Sequence, residues 1–374
     1  MQTHQIQNAK ANEIIRKCVH CGFCQATCPT YQLLGDELDS PRGRIYLIKS
    51  ALENNQVSHD TTKHLDRCLT CRSCETTCPS GVDYHQLLDI GRQALESKRP
   101  LWQKAYRFAV RKTLTTPALF NPVGRLFRHS NIQTPALEPA QTIGKVLLLG
   151  GCVQPTLAPN INHSIRNVLA KLNYQVVETP QKECCGAIDQ HLGADQVALE
   201  KVKANIDAWV AAEADYIISS ASGCGAMVKD YPELFDKADP YYQKALQLCG
   251  KTLDIAQLLA KQDLSMLTPE QVRISYHEPC TLQHGQKLPG LVTSILTQLG
   301  YQVPAVQDSH LCCGSAGTYS IFQKDLSEQL KTNKLQHLNA SEPEVIVTAN
   351  IGCLMHLQKD SKIPVKHWVE LLDN

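Results

Sequence analysis

Nowhere in the 374 residues do eighteen apolar positions run together, and the opening stretch "MQTHQIQNAKANEIIRKC" holds no apolar core of signal-peptide length. The pattern offers neither a membrane-crossing helix nor a secretory leader. The expectation is a cytosolic chain, or one lying peripherally on the cytosolic face of a membrane. Net charge is equally scarce: 37 Lys and Arg against 36 Asp and Glu leave +1, with no global pull toward nucleic acid or an acidic substrate. There is no G-x-G-x-x-G loop, no P-loop and no Ser-His-Asp constellation; "LLLGGC" is only a strand-ending glycine pair. A chain without these devices is poorly equipped to turn over a metabolite by itself.

Cysteine, by contrast, is abundant, at 17 residues. In a reducing cytosol a disulfide scaffold explains these poorly, and metal ligation, cluster ligation or redox chemistry explains them better. The first eight fall into two matched runs. "CVHCGFCQATCP" places Cys18, Cys21, Cys24 and Cys28 ahead of Pro29; "CLTCRSCETTCP" places Cys68, Cys71, Cys74 and Cys78 ahead of Pro79. Both read C-x2-C-x2-C-x3-C-P, the spacing of bacterial dicluster ferredoxins, in which the fourth cysteine serves the other cluster. Two-residue gaps let one tight loop wrap three thiolates around a cubane, and the fourth cysteine lies where a helix begins to carry the chain away. One 4Fe-4S cluster is therefore expected on Cys18, Cys21, Cys24 and Cys78, and a second on Cys68, Cys71, Cys74 and Cys28. Tetrahedral zinc, which commonly uses two separated C-x2-C knuckles, fits two runs of four thiols poorly.

His20 inside the first run has Thr70 as its counterpart and reads as a solvent-side loop residue. Between the runs, "DSPRGRIYLIKSALENN" predicts a helix with Ser40 as N-cap, Pro41 at its first position and Ile45, Ile48 and Leu52 on one face. Arg42 and Arg44 on that helix could offset cluster charge or stand as a solvated pair. From Ser97 to Leu137 no acidic residue occurs, while Lys98, Arg99, Lys104, Arg107, Arg111, Lys112, Arg125 and Arg128 alternate with Trp102, Tyr106, Phe108, Phe120 and Phe127. Such a connector can rest on anionic lipid or an acidic partner, or pack against its own domains. No nucleic-acid motif accompanies it, so nucleic acid is not an expected partner.

The rest of the chain repeats itself at an offset of about 128 residues: "KVLLLGGC" with "RISYHEPC", "NYQVVE" with "GYQVPA", "CCG" with "CCG", and "DYIISSASGC" with "EVIVTANIGC". Each copy reads strand, cysteine, helix, strand, CCG, helix, strand, Gly-Cys and short helix, an α/β module with a small parallel sheet and cysteines in the loops after its strands. Copy one offers Cys152, Cys184, Cys185 and Cys224; copy two offers Cys280, Cys312, Cys313 and Cys353. Gly186 and Gly314 allow positive φ or close backbone approach. Cys249 has no counterpart and reads as a buried apolar residue. The fold class is thus α+β multidomain: a helical dicluster ferredoxin domain at 1–96, the basic aromatic connector at 97–142, and cysteine-rich CCG modules at 143–265 and 266–374.

The tandem CCG modules resemble those of heterodisulfide-reductase-type proteins. Attached behind a dicluster domain, they resemble the iron-sulfur subunits of respiratory 2-hydroxy-acid and glycerol-3-phosphate dehydrogenases. The stretches "KCVHCGFCQATCPTYQLLGDELDSPRGRIYLIK" and "LDRCLTCRSCETTCPSGVDYHQLLDIGR" are similar in particular to the glycolate oxidase iron-sulfur family. The resemblance implies two 4Fe-4S clusters and an electron-transfer role. Flavin would be confined to FAD-containing partner subunits that oxidise glycolate to glyoxylate, with a quinone or other membrane acceptor beyond. The alternatives are an equivalent subunit of a D-lactate or glycerol-3-phosphate dehydrogenase, a thiol-disulfide enzyme, or a metal-stapled scaffold that carries no current. The reductase branch ends its cysteine pattern C-x2-C, whereas "CGAM" and "CLMH" here put Met227 and His356 at the last position. Four thiols per copy remain enough for a further cluster. His356 is a candidate ligand or a packed histidine, and His277 and His310 suggest proton handling in copy two.

Overall fold

The computed structural model describes residues 2–132, 135–179, 184–267, 269 and 271–373. The N-terminal third is helical, as its capping signals predict. Ser40 accepts a hydrogen bond from the Gly43 amide (3.0 Å) and starts the helix Pro41–Asn54, whose Ile45 and Ile48 are buried against the helix Tyr84–Lys98. Leu65, Leu87, Leu88 and Leu95 complete that core. Cys28 directly caps the helix Pro29–Leu34, but after Cys78 the helix is delayed to Tyr84 because Gly81 at φ +61° spends four residues in a turn.

The connector forms two helices, Leu101–Thr115 and Pro117–Gly124. Three of its arginines turn inward. Arg99 bonds to Asp66 and Glu96, Arg107 to Glu96 (3.1 Å), and Arg111 to Asp189 (2.8 Å) in the following module. Much of the connector's charge therefore anchors it to its own domains.

The first module carries the parallel sheet β2-β1-β3-β4, with β1 Gly144–Leu149, β2 Tyr174–Val177, β3 Tyr216–Ser219 and β4 Thr252–Asp254. The second carries β5-β6-β7, with β5 Ile274–His277, β6 Val345–Thr348 and β7 Val365–His367. Two expectations change. "GYQVPA" forms no strand: Pro304 has no amide hydrogen for a ladder and restricts Val303 before it. Each module also adds a three-residue strand, β4 or β7, beyond its Gly-Cys helix, too short to show a periodicity. The modules share one continuous apolar core, joining Ile161, Ile165 and Ile218 of the first to Ile274, Val347 and Trp368 of the second.

Candidate metal and thiol centres

The two ferredoxin loops adopt the same turn twice. His20 and Gly22 in the first, and Thr70 and Arg72 in the second, all have left-handed φ between +54° and +84°. Left-handed residues among right-handed ones turn successive backbone N–H groups to one side and make a concavity suited to negative charge. The second loop forms it even with a non-glycine at Arg72, whose guanidinium is anchored outside by Asp230. Two hollows result. One is lined by Cys68, Cys71 and Cys74 of the second run with Cys28 of the first; the other by Cys18, Cys21 and Cys24 with Cys78, Cys74 also reaching its wall. The fourth cysteine of each run thus sits with the other run's three. Burial pushes the Cys24 thiol up to about 11 and the Cys71 and Cys74 thiols well above their ordinary range. A cation bound among these sulfurs would offset that burial and favour their thiolate form. Thiol-lined hollows beside such turns fit 4Fe-4S clusters, and the eight cysteines are the side chains that could hold them.

Arg42 and Arg44 divide. Arg42 lies near the surface, bonded to Glu37 (2.7 Å) and the His20 carbonyl (3.2 Å). Arg44 is 1% exposed, 3.9 Å from Cys28 Sγ, and bonds to Thr30, Asp39 and the His64 carbonyl. Burial works against its charge, and Cys68, Tyr84, Cys28 and Asp39 more than offset that. The hollow of Cys68, Cys71, Cys74 and Cys28 therefore has a cation built into its wall.

In both modules the cysteines sit at matched distances beyond the strands, Cys152 after β1 and Cys280 after β5, Cys224 after β3 and Cys353 after β6. These are the carboxyl ends, where sites of parallel sheets form. Gly186 (φ +89°) and Gly314 (φ +92°) each turn the chain so that their amide faces the first cysteine of the pair. In module one, Asn205 donates to the Cys184 carbonyl (3.1 Å) and Tyr231 to the Cys185 carbonyl (3.0 Å). In module two, Cys280 Sγ and Cys312 Sγ are 3.8 Å apart, and Asn350 Nδ2 donates to Cys353 Sγ at 3.5 Å. Met227 is packed in module one's core. His356 bonds to Ser327 (3.2 Å), which makes it the packed histidine of the two readings. Cys249 is half-buried on the carbonyl of Lys229 and belongs to neither thiol set. His310 is half-buried and its carbonyl bonds to His284 (3.1 Å). Burial drives His277 well toward its neutral form.

The sequence did not reveal how the parts meet. Cys71 of the second loop shares one buried apolar cluster with Cys280 and Cys312, closed by Leu69, Tyr319, Leu326 and Leu330. Thr76 bonds to His284 of module two (2.9 Å). His85 bridges Glu75 (2.8 Å) and Glu233 of module one (3.1 Å); burial opposes its charge, but those bonds outweigh it and hold its pKa up at about 10. Between the modules, Ser222 bonds to Thr281 (2.6 Å) and its amide donates to the Ala349 carbonyl (3.2 Å). Apart from Glu75 and His85, the bonded partners are 59 or more residues apart in sequence, and His85, His284 and Tyr319 carried no local signal.

Comparison with known proteins agrees with this geometry. Residues 14–82 match the model of a 4Fe-4S dicluster domain, and residues 146–229 and 274–358 each match that of a cysteine-rich domain. The chain is 48% identical to the glycolate oxidase iron-sulfur subunit of Escherichia coli K12, over 98% of this chain and 96% of that one. It is 28% identical to a probable glycolate oxidase iron-sulfur subunit of Bacillus subtilis, over 95% and 91%. It is also 25% identical to a subunit of the fumarate reductase (CoM/CoB) of Methanothermobacter marburgensis, over 96% and 72%. A thiol-lined dicluster domain sealed against two cysteine-rich modules, with these likenesses along its whole length, places the chain in the family of glycolate oxidase iron-sulfur subunits.

Proposed function

We propose that this chain relays electrons within a glycolate-oxidising complex. A partner carrying FAD converts glycolate to glyoxylate, taking up two electrons and two protons, and the electrons leave through this chain toward a quinone at the membrane surface. When bound, 4Fe-4S clusters supply one-electron carriers; the chain supplies their spacing, insulation and charge. In this reading Cys18, Cys21, Cys24 and Cys78 hold one cluster, Cys68, Cys71, Cys74 and Cys28 the other, and the module thiols hold further centres.

The observation that carries the reading is the burial of Cys71 with Cys280 and Cys312 under Leu69 and Tyr319. These apolar side chains exclude water between a ferredoxin-loop ligand and the thiols of module two, as a relay requires and a set of separate structural staples does not. On the outside, Lys98, Lys112 and Arg125 remain exposed beside Leu101, Trp102, Phe108, Leu126 and Phe127, a basic and apolar rim suited to an anionic membrane surface. The test is the purified complex given glycolate and a soluble quinone. With Cys71→Ser, glycolate is expected still to bleach the partner's flavin while quinone reduction falls to background; unchanged quinone reduction would refute the relay. Turnover of D-lactate or glycerol 3-phosphate in place of glycolate would keep the relay and replace the partner.

A further inference from the structure

The duplication sets His277 at the position of Leu149: each is the last residue of its strand, three residues before the first module cysteine, and each pairs with the end of the neighbouring strand, His277 with Thr348 and Leu149 with Ser219. A leucine there is ordinary packing. The histidine is 2% exposed, and among the described residues neither ring nitrogen has a hydrogen-bond partner. A buried imidazole has one donor and one acceptor to satisfy, and leaving both unmet is rare enough to require a cause such as an ion. Its surroundings supply that cause. A ring nitrogen of His277 and the sulfurs of Cys313 and Cys353 all lie within 4.8 Å of one another, and all three residues are buried. Metal–sulfur bonds of about 2.3 Å and metal–nitrogen bonds of about 2.0–2.1 Å let one ion reach all three after small side-chain shifts.

We propose that His277 is a nitrogen ligand of the metal centre of module two, on the same metal ion as Cys313 and Cys353, so that the two modules hold chemically different centres. The inference rests on the reading that module two binds metal. The ligand set is soft sulfur with one imidazole, which suits zinc or an iron of an iron-sulfur cluster. Cys312, adjacent in the chain, and Cys280 beside it stand next in line as donors. Asn350, donating to Cys353 Sγ, orients a ligand from outside. Among the described residues of module one no such three-donor group occurs, and its thiols are joined by Leu149 in place of an imidazole. Replacing thiolate by imidazole removes negative charge from a cluster and raises its potential. If the ion is an iron of a cluster, module two is the more readily reduced of the pair, which suits the module that abuts Cys71.

The test uses the full chain labelled with 15N-histidine. One arm is loaded with ferrous iron and sulfide, and a second, stripped by chelator, is loaded with cobalt(II) as a paramagnetic stand-in for zinc. Pulsed electron paramagnetic resonance of the module-two signal is expected to show a histidine nitrogen coupling in whichever arm fills the site. His277→Leu, which copies module one, should lose that coupling, and His277→Cys should keep the metal without it. A Cys152→Ser, Cys224→Ser variant should leave it unchanged. If Cys313→Ser, Cys353→Ser fails to lower metal content in either arm, module two binds no metal and the underlying reading falls. If metal content drops in that variant but the wild type shows no coupling, or the coupling survives in His277→Leu, the ligand assignment alone is overturned.

Discussion

The two ferredoxin loops share a cysteine spacing and a left-handed turn, yet they live in opposite environments. At matched positions the first loop has Val19, Cys21 and Phe23 where the second has Leu69, Cys71 and Ser73. Val19 is 67% exposed, Phe23 is 61% exposed, and Cys21 is open to solvent. Leu69, Cys71 and Ser73 are buried, because module two closes over them. A motif that reads identically in sequence is therefore an exposed face in one copy and a buried junction in the other. What separates them is supplied by residues more than two hundred positions away.

The charges around the loops sharpen this contrast and give the largest expected effect. Arg44 is buried with Asp39 and Thr30 beside Cys28, so Arg44→Ala leaves Asp39 without part of its compensation and should cost about 3–5 kcal/mol. Arg42, at the surface by the first loop, should cost under about 1 kcal/mol as Arg42→Ala. Thermal loss of the visible iron-sulfur absorbance compares the two directly. Equal losses would mean that the second loop is not held by its buried cation.

The modules offer a parallel comparison at their CCG turns. A Cβ added at Gly314 would lie 2.6 Å from the Ser327 carbonyl, whereas one at Gly186 would lie 3.5 Å from that of Ala198. Both substitutions bear the left-handed penalty of roughly 1–2 kcal/mol; Gly314→Ala adds overpacking of about 1–3 kcal/mol. Calorimetry of the two variants should rank Gly314→Ala as the more damaging, and a reversed order would argue that the turns are held differently from the way they pack here.

A smaller effect concerns how the second loop's domain is pinned to module one. His85 is charged between Glu75 and Glu233, with its pKa held up at about 10 from an ordinary 6.5. A raised folded-state pKa contributes stability that is complete below 6.5, declines as pH rises, and is gone once pH passes about 10. The melting temperatures of wild type and His85→Gln should therefore differ most below pH 6.5 and converge near pH 10. A gap that widened with pH would reverse the assigned charge state. Beside the first loop, Lys17 pairs with Asp83 at the start of the helix Tyr84–Lys98, a pair more than a third exposed at both ends, where salt and solvent leave little.

Much of the fold was legible because its signals are local. Ser40 and Pro41 announced a helix, the C-x2-C-x2-C-x3-C-P runs announced paired hollows, and the CCG glycines announced positive φ. The failures share a cause. Arg107 and Arg111 stood between a membrane or partner face and a packed linker until Glu96 and Asp189 appeared beside them. "GYQVPA" read as a strand from its likeness to "NYQVVE", although one proline was enough to remove it. The meeting of Cys71 with Cys280, and the isolation of His277 among thiols, depend on how three domains close, and no window of sequence contains that.

The smallest expected change in stability is the one that asks what the exposed first loop is for. Val19 and Phe23 flank an exposed cysteine on the only one of the two loops that the modules leave uncovered. Replacing both with serine removes little buried surface, so stability should move by no more than about 0.5 kcal/mol. If this rim is where the partner docks, its apolar contact is lost on substitution, and a contact worth about 1.4 kcal/mol is a tenfold change in affinity. The Val19→Ser, Phe23→Ser variant should therefore keep its iron and its melting temperature while the partner's flavin reduces it about tenfold more slowly at limiting concentration. An unchanged rate would move the docking site away from the first loop and make its exposure incidental. A slowed rate with lost iron would mean instead that these side chains shield the thiols of Cys18, Cys21 and Cys24 from solvent, and the difference between the two loops would then be one of cluster stability and not of traffic.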